Sequence, residues 1–268
     1  MTSQKVALIT GASSGFGALT AVLLAQEGYR VFGTSRREQT AGAPNIEMLV
    51  LDVRSEQSVH SCIKQLLAQT NRIDLLINNA GREHASVIEE TSFELATDVF
   101  ETNFWGVVRV TSAVLPCMRQ QRGGHIINVS SLAGLIGMAG QGFYSASKFA
   151  LEGYSDALSQ EVGQFNINVS LIEPGFFKTN LHHTILPSAD IFPDYKALRN
   201  AVQLSIKEAI FQGGDPRKVA ELIVRAAKSK SPRLRYRVGN DALWVPRLKA
   251  ILPERLFRLG LRRRFNLP

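Results

Sequence analysis

Tyr144 and Lys148 stand four residues apart in a stretch whose apolar spacing reads as helix, so their side chains share one face. That pairing has a chemical use. A phenol at its ordinary pKa of about 10 exchanges protons poorly at neutral pH, and an ammonium beside it stabilises the phenolate and lowers that value. Thirteen residues before the tyrosine, Ser131 closes a strand-like apolar run, where its hydroxyl can hydrogen-bond a substrate carbonyl or alcohol. Taken singly, a Tyr/Lys pair at helical spacing is a common surface contact, and Ser-Ser after a strand a common cap or turn. Taken together, the three groups exchange a proton with an oxygen atom, and a reduction then lacks only a source of hydride.

The run Thr10-Gly11-Ala12-Ser13-Ser14-Gly15-Phe16-Gly17 offers a place for that source, because it follows the strand-like Val6-Ala7-Leu8-Ile9 and opens a helical stretch. Glycine at Gly11, Gly15 and Gly17 lets the chain turn tightly and approach a pyrophosphate. The helix start that Ser13, Ser14 and Phe16 share with them presents amides to the anion. A plain strand-to-helix turn is the alternative. The end of the second strand selects the dinucleotide: a carboxylate there would accept the ribose hydroxyls of NAD, whereas arginine accommodates the 2′-phosphate of NADP. The chain has Ser35, Arg36 and Arg37 and no carboxylate, so NADP(H) is expected over NAD(H).

These groups must be held by a scaffold, and the pattern supplies one. Short β-branched runs at Lys5–Thr10, Arg30–Thr34, Glu47–Leu51, Asp74–Asn78, Gly124–Ser130, Ile167–Glu173 and Leu234–Val238 alternate with helical stretches at 15–29, 55–70, 93–119 and 142–164. Alternation of this kind marks βαβ units and a parallel sheet covered on both faces. The expectation is an α/β fold: one Rossmann-like, doubly wound domain over 1–268, with about seven strands. After Pro174-Gly175 the rhythm breaks, so 176–214 reads as an insertion over the strand ends, on the substrate side. A further helix is expected from Pro216 to Lys228, with Asp215 as its N-cap.

In their order along the chain, these motifs resemble the short-chain dehydrogenase/reductase family in its classical form. The matching residues are Thr10-Gly11-x-x-x-Gly15-x-Gly17, Asp52-Val53, Asn78-Asn79-Ala80-Gly81, Asn103, Ser131, Tyr144-x-x-x-Lys148 and Pro174-Gly175 with Thr179. The resemblance covers at least 5–180, and the phrase from Tyr144 to Gly153 is similar to the hydroxysteroid and retinol dehydrogenase branch. It implies an oxidoreductase of the carbonyl reductase type, acting on CH–OH groups with NAD(P). Tyr144 would be the general acid/base, Ser131 would orient the reacting oxygen, and Lys148 would lower the tyrosine pKa and hold the nicotinamide ribose. Asn103 would anchor a water in the proton relay. Asp52 and Val53 would meet the adenine, and Asn79, Ala80 and Gly81 the middle of the cofactor. Pro174, Gly175, Phe177 and Thr179 would meet its nicotinamide end.

Composition narrows the partners. The net charge is +8, but ten basic and two acidic residues lie between Arg233 and Pro268, leaving 21 of each sign in the rest of the chain. A neutral body without a recognition motif gives no case for nucleic-acid binding. The basic segment 239–268 has two readings: an amphipathic stretch touching an anionic membrane surface, or a cap packed on the domain or a neighbouring subunit, with Pro246 and Pro253 interrupting its helix. Capping is the reading the prolines favour. The run Phe104–Met118 contains Arg109 and Pro116 and is too short to span a bilayer. Two distant cysteines, Cys62 and Cys117, and a start without a signal-peptide pattern point to a reducing, cytoplasmic setting. No metal is expected, since His182 and His183 are adjacent and have no third ligand.

Leu132, Leu135, Ile136, Phe143, Phe176, Phe177 and Phe192 together suggest an apolar pocket for a lipophilic ketone, aldehyde or alcohol, although core packing is the better account of any one of them alone. By resemblance the subunits pair through the helices at 93–119 and 142–164, as a homodimer or homotetramer. The alternative function is a non-catalytic NADP(H)-sensing protein on the same fold. Such a sensor would have no need of Asn103, Ser131, Tyr144 and Lys148 in register.

Overall fold

A computed structural model of the chain describes residues 4–40, 43–178 and 191–268. Its first half comprises β1 (Val6–Ile9), α1 (Gly15–Gln26), β2 (Arg30–Ser35), β3 (Ile46–Val50), α2 (Glu56–Thr70) and β4 (Leu75–Asn78). The second comprises α3 (Phe93–Phe100), α4 (Gly106–Gln121), β5 (Gly124–Val129), α5 (Gly142–Val162), β6 (Ile167–Pro174), α6 (Lys196–Phe211), α7 (Arg217–Lys228), β7 (Arg235–Val238), α8 (Asn240–Ile251) and α9 (Glu254–Arg264). The strands form one seven-stranded sheet in the order β3-β2-β1-β4-β5-β6-β7. Every pairing is parallel.

The sheet is buried on both faces because its strands are apolar at odd and even positions alike. Val6 and Leu8 of β1 point into a core shared with α2, α4 and the end of α5. Ala7 and Ile9 point the other way, into a core closed by α1 and α7, where Leu24, Val219 and Ile223 are fully buried. Strand order reverses between β1 and β4, so the loops leaving their carboxyl ends diverge and open a crevice there.

The long helix expected over 93–119 forms, from Phe93 to Gln121, but is not regular throughout. Between α3 and α4 the backbone makes a π turn at Glu101–Trp105. The extra residue rotates Asn103 inwards, where it is fully buried. Pro246 also departs from expectation: α8 runs through it, giving up only the bond that an N–H there would have made to the Ala242 carbonyl. Pro253 does end the helical run, between α8 and α9. At α7 the Asp215 carboxylate accepts the Arg217 amide at 2.9 Å, and the helix begins one residue later than expected.

Candidate active site

The crevice at the β1/β4 switch point is stitched from both sides. Thr10 Oγ1 accepts the Asn79 and Ala80 amides, each at 2.9 Å. Asn79 Nδ2 donates to the carbonyls of Thr10 at 3.0 Å and Gly11 at 2.9 Å. Gly11 takes φ +66°, a conformation that side chains resist. A Cβ at Gly17 would overlap the Gly11 carbonyl and lie 2.5 Å from Asn79 Nδ2. Gly17→Ala is therefore expected to push the two loops apart, costing about 1–3 kcal/mol of stability. Thermal unfolding and dinucleotide titration would both register the loss.

This cradle opens into a groove of about 290 Å³. Gly11, Ser13, Ser14, Gly15, Phe16, Ser35, Arg36, Asp52, Val53, Asn79, Ala80, Gly81, Tyr144 and Lys148 all line it. Gly17 lies beneath, and Arg37 is exposed beyond the rim. Two basic residues not anticipated from sequence, Arg54 and Arg82, complete the wall. Arg54 bridges Asp52 at 2.8 Å and Asp98 at 2.9 Å, and Arg82 pairs with Asp98 as well. The hydrogen bond from Arg54 holds the Asp52 carboxyl below its usual range. Burial, followed by the charges of Arg36 and Arg54, lowers the Arg82 guanidinium. Three guanidiniums thus crowd one end of the groove against two carboxylates, an arrangement that an added anion would relieve.

Tyr144 and Lys148 sit one turn apart on α5, both buried. Lys148 Nζ donates to the Val129 carbonyl at 2.8 Å and lies 5.9 Å from the centre of the Tyr144 ring. Burial brings the ammonium down to about 8, with the Glu152 charge opposing. Burial outweighs the lowering expected from Lys148: the Tyr144 phenol is raised, first by burial and then by the negative charge of Glu83, while a hydrogen bond with Ser131 acts the other way. Ser131 caps the turn Leu132–Gly134 by accepting the Ala133 amide at 3.1 Å. Asn103, presented by the π turn, accepts the Arg82 amide at 2.7 Å and donates to the Arg82 carbonyl at 2.8 Å and to Ser147 Oγ at 3.1 Å. It therefore ties the loop after Gly81 to the helix that carries the tyrosine.

A buried polar ladder positions the same helix. Asn78 Nδ2 donates to Asn128 Oδ1 at 2.9 Å, and Asn128 Nδ2 to Ser155 Oγ at 2.9 Å, linking β4, β5 and α5. At the end of β6, Asp241 accepts the Phe176 amide at 2.7 Å and fills the space beside Gly175, fixing the turn after Pro174. Phe177 lies outside the groove, edge-on to Phe16 with ring centres 5.9 Å apart. Thr179, His182 and His183 lie outside the described residues. Among the described residues, no group of three or more His, Cys, Asp or Glu side chains could hold a metal ion.

Glu83 was not anticipated. Its carboxyl is buried, accepts Gln141 Nε2 at 2.6 Å, and is pushed up to about 7 by burial. No periodicity marks the stretch after Gly81, and the partner is 58 residues away, so the sequence carried no signal for this pair. Because the folded pKa is raised, ionisation costs the native state stability between the ordinary carboxylate range and pH 7, and the full cost stands above that. At pH 5 the wild-type group is neutral, like glutamine. Glu83→Gln should therefore be more stable than wild type by about 2.5 kcal/mol more at pH 8 than at pH 5, where the unfolded chain already ionises in part. Denaturation at the two pH values measures this, and an equal gap at both would contradict it. Removing that charge should also lower the Tyr144 pKa above pH 7.

Beyond the tyrosine lies a cavity of about 460 Å³ with an apolar wall on one side and Gln212, Lys218, Asn240, Asp241 and Arg264 on the other. Leu132, Ile136, Phe176 and Phe177, all expected from sequence, form the apolar wall together with Met138 and, from the C-terminal segment, Val245, Leu261 and Phe265. Leu135, Phe143 and Phe192 are not part of this lining. Tyr144 packs in the same apolar cluster. The C-terminal segment is thus a wall of the cavity.

The family model for short chain dehydrogenases matches residues 5–189. A 3-ketodihydrosphingosine reductase from Bacteroides thetaiotaomicron is 40% identical over 96% of this chain and 97% of its own length. Retinol dehydrogenase 8 from Bos taurus is 36% identical over 94% and 87% respectively. Among solved structures, a short chain dehydrogenase/reductase from Burkholderia phymatum in complex with NAD aligns with a TM-score of 0.81 at 26% identity, covering 92% of this chain and 93% of that one.

Proposed function

This chain belongs to the short-chain dehydrogenase family and is an oxidoreductase, and on that premise we propose that it moves hydride between NADP(H) and a hydrophobic carbonyl or secondary alcohol, with Tyr144 as general acid/base. The observation that carries this reading is that Tyr144 and Lys148 open into the same groove as the glycine cradle. The nicotinamide group, when bound, supplies or accepts the hydride. The chain's own residues do the rest. Tyr144 gives its phenolic proton to the developing alkoxide, and Ser131 hydrogen-bonds the same oxygen and orients it. Lys148, positively charged at neutral pH despite its burial, favours the phenolate and holds the nicotinamide ribose. Asn103 anchors the water that reconnects the proton path to solvent. Asp52 and Val53 meet the adenine, and Asn79, Ala80 and Gly81 the middle of the dinucleotide. Pro174, Gly175 and Thr179 serve the nicotinamide end.

Preference for NADP(H) is supported by the adenosine end of the groove. Arg36, Arg54 and Arg82 outnumber Asp52 and Asp98 there, so a 2′-phosphate completes the charge balance. The lipophilic substrate class is supported by the apolar wall that the cavity shares with the cluster around Tyr144, and by relatives named for a keto compound and for an alcohol. A cytoplasmic setting fits the two free cysteines. Subunit pairing through the helical stretches 93–119 and 142–164 fits the exposure of Trp105 and Phe149 along them, and a monomer in light scattering would contradict it. The function is tested by following NADPH and NADH oxidation with hydrophobic ketones and aldehydes. Carbonyl-dependent loss of NADPH supports it, and no loss of either cofactor overturns it.

A further inference from the structure

The hairpin of α8 and α9 has two working faces. Inwards, Val245, Phe257, Leu261 and Phe265 pack against the cavity cluster around Leu132 and Tyr144. Outwards, Trp244, Leu248, Ile251, Leu252, Leu256 and Leu259 are exposed, Ile251 to 78% and Trp244 to 59%. Single exposed apolar side chains are ordinary, but six within sixteen residues form a surface that asks for a partner. Between Trp244 and Pro268 the chain carries seven Lys and Arg residues against a single carboxylate, Glu254, while residues 1–232 are electrically balanced.

That charge selects the occupant. Lys249 donates to the Leu135 carbonyl and Arg264 lines the cavity, so a second copy of the same face would set the other five basic residues against their own counterparts, and a nucleic acid would leave the leucines and the tryptophan without an apolar contact. An anionic bilayer satisfies both components: its headgroups meet the arginines, and its acyl boundary takes the apolar side chains. We propose that the α8–α9 hairpin docks the protein peripherally on anionic phospholipid surfaces, with Trp244, Leu248, Ile251, Leu256 and Leu259 entering the interface. No helix among the described residues is long and apolar enough to cross a membrane, so this contact lies on the surface. Because the same hairpin walls the cavity, docking brings the cavity to where a lipophilic substrate dissolves. That last step rests on the proposed substrate class, whereas the docking does not.

The test is co-flotation of the purified protein with phosphatidylcholine vesicles containing or lacking phosphatidylglycerol. Binding is expected to the anionic vesicles, about ten-fold or more tighter than to neutral ones, and to fall as salt is raised. Leu256→Ser with Leu259→Ser, and separately Arg255→Gln with Arg258→Gln, should each weaken it about ten-fold or more. Both variants should leave the oligomeric state and the turnover of a water-soluble carbonyl unchanged. With Trp105→Phe, Trp244 is the sole tryptophan, and its emission should shift to the blue on anionic vesicles alone. A folded wild type that binds neither vesicle type overturns the proposal. So does a serine variant that dissociates the oligomer while wild-type vesicle binding shows no charge preference, since a second copy would then cover the face. Vesicle binding without any carbonyl turnover would sustain the docking and refute the proposed function, and the reverse pattern would do the opposite.

Discussion

Tyr144→Phe is expected to lower kcat/KM by about two to four orders of magnitude, the usual share of a positioned proton donor. Dinucleotide affinity should change little. The substitution keeps the ring in its apolar cluster with Leu132, Ile136 and Phe265, and removes only the hydroxyl at the groove. Lys148 keeps its bond to the Val129 carbonyl, so the floor of the site stays in place. Melting temperature and NADPH titration should therefore match wild type while turnover collapses. A variant that retains wild-type turnover would remove Tyr144 from the chemistry. One that loses cofactor binding in parallel would make the residue a structural support.

Arg36→Glu should invert the choice of cofactor. Its guanidinium lies near enough to Asp52 and Arg82 to influence both. Loss of a charge-assisted contact with a 2′-phosphate costs about 1.5–3 kcal/mol, which corresponds to about ten- to a hundred-fold in NADPH affinity. The introduced carboxylate would repel the phosphate further and offer the ribose hydroxyls of NADH an acceptor. NADH affinity should therefore hold or improve. Titration of both cofactors into both proteins reads the ratio directly. An unchanged ratio would place the selectivity in Arg54 and Arg82, the other two basic residues of that end.

The parts of this site that were legible in the sequence are those whose cause is local. Apolar runs such as Val6–Ile9 and Leu75–Asn78 are buried on both faces, so composition alone marks them as strands of a parallel sheet. The glycines after β1 and the spacing of Tyr144 and Lys148 are likewise local, and their positions in one groove follow from where the strand order reverses. What stayed hidden depends on partners distant in sequence. Asn78, Asn128 and Ser155 form a ladder only once β4, β5 and α5 are adjacent. Glu83 gains meaning from Gln141, and Asp241 from Phe176. The π turn at Asn103 is invisible to helical periodicity because it changes the register by one residue. Pro246 misled for the opposite reason: a local rule against helix was outweighed by the packing of Ala242 and Val245 on the domain.

The central claim is that hydride passes between NADPH and a hydrophobic carbonyl in this groove, with Tyr144 completing the reaction at oxygen. It is tested most directly by incubating the enzyme with NADPH deuterated at the transferred position of C4 and a long-chain ketone, and analysing the alcohol by mass spectrometry. We predict one deuterium on the carbinol carbon from the wild-type enzyme and no labelled alcohol from Tyr144→Phe in the same time. Unlabelled alcohol, or no alcohol from any hydrophobic ketone or aldehyde despite NADPH binding, would contradict the account.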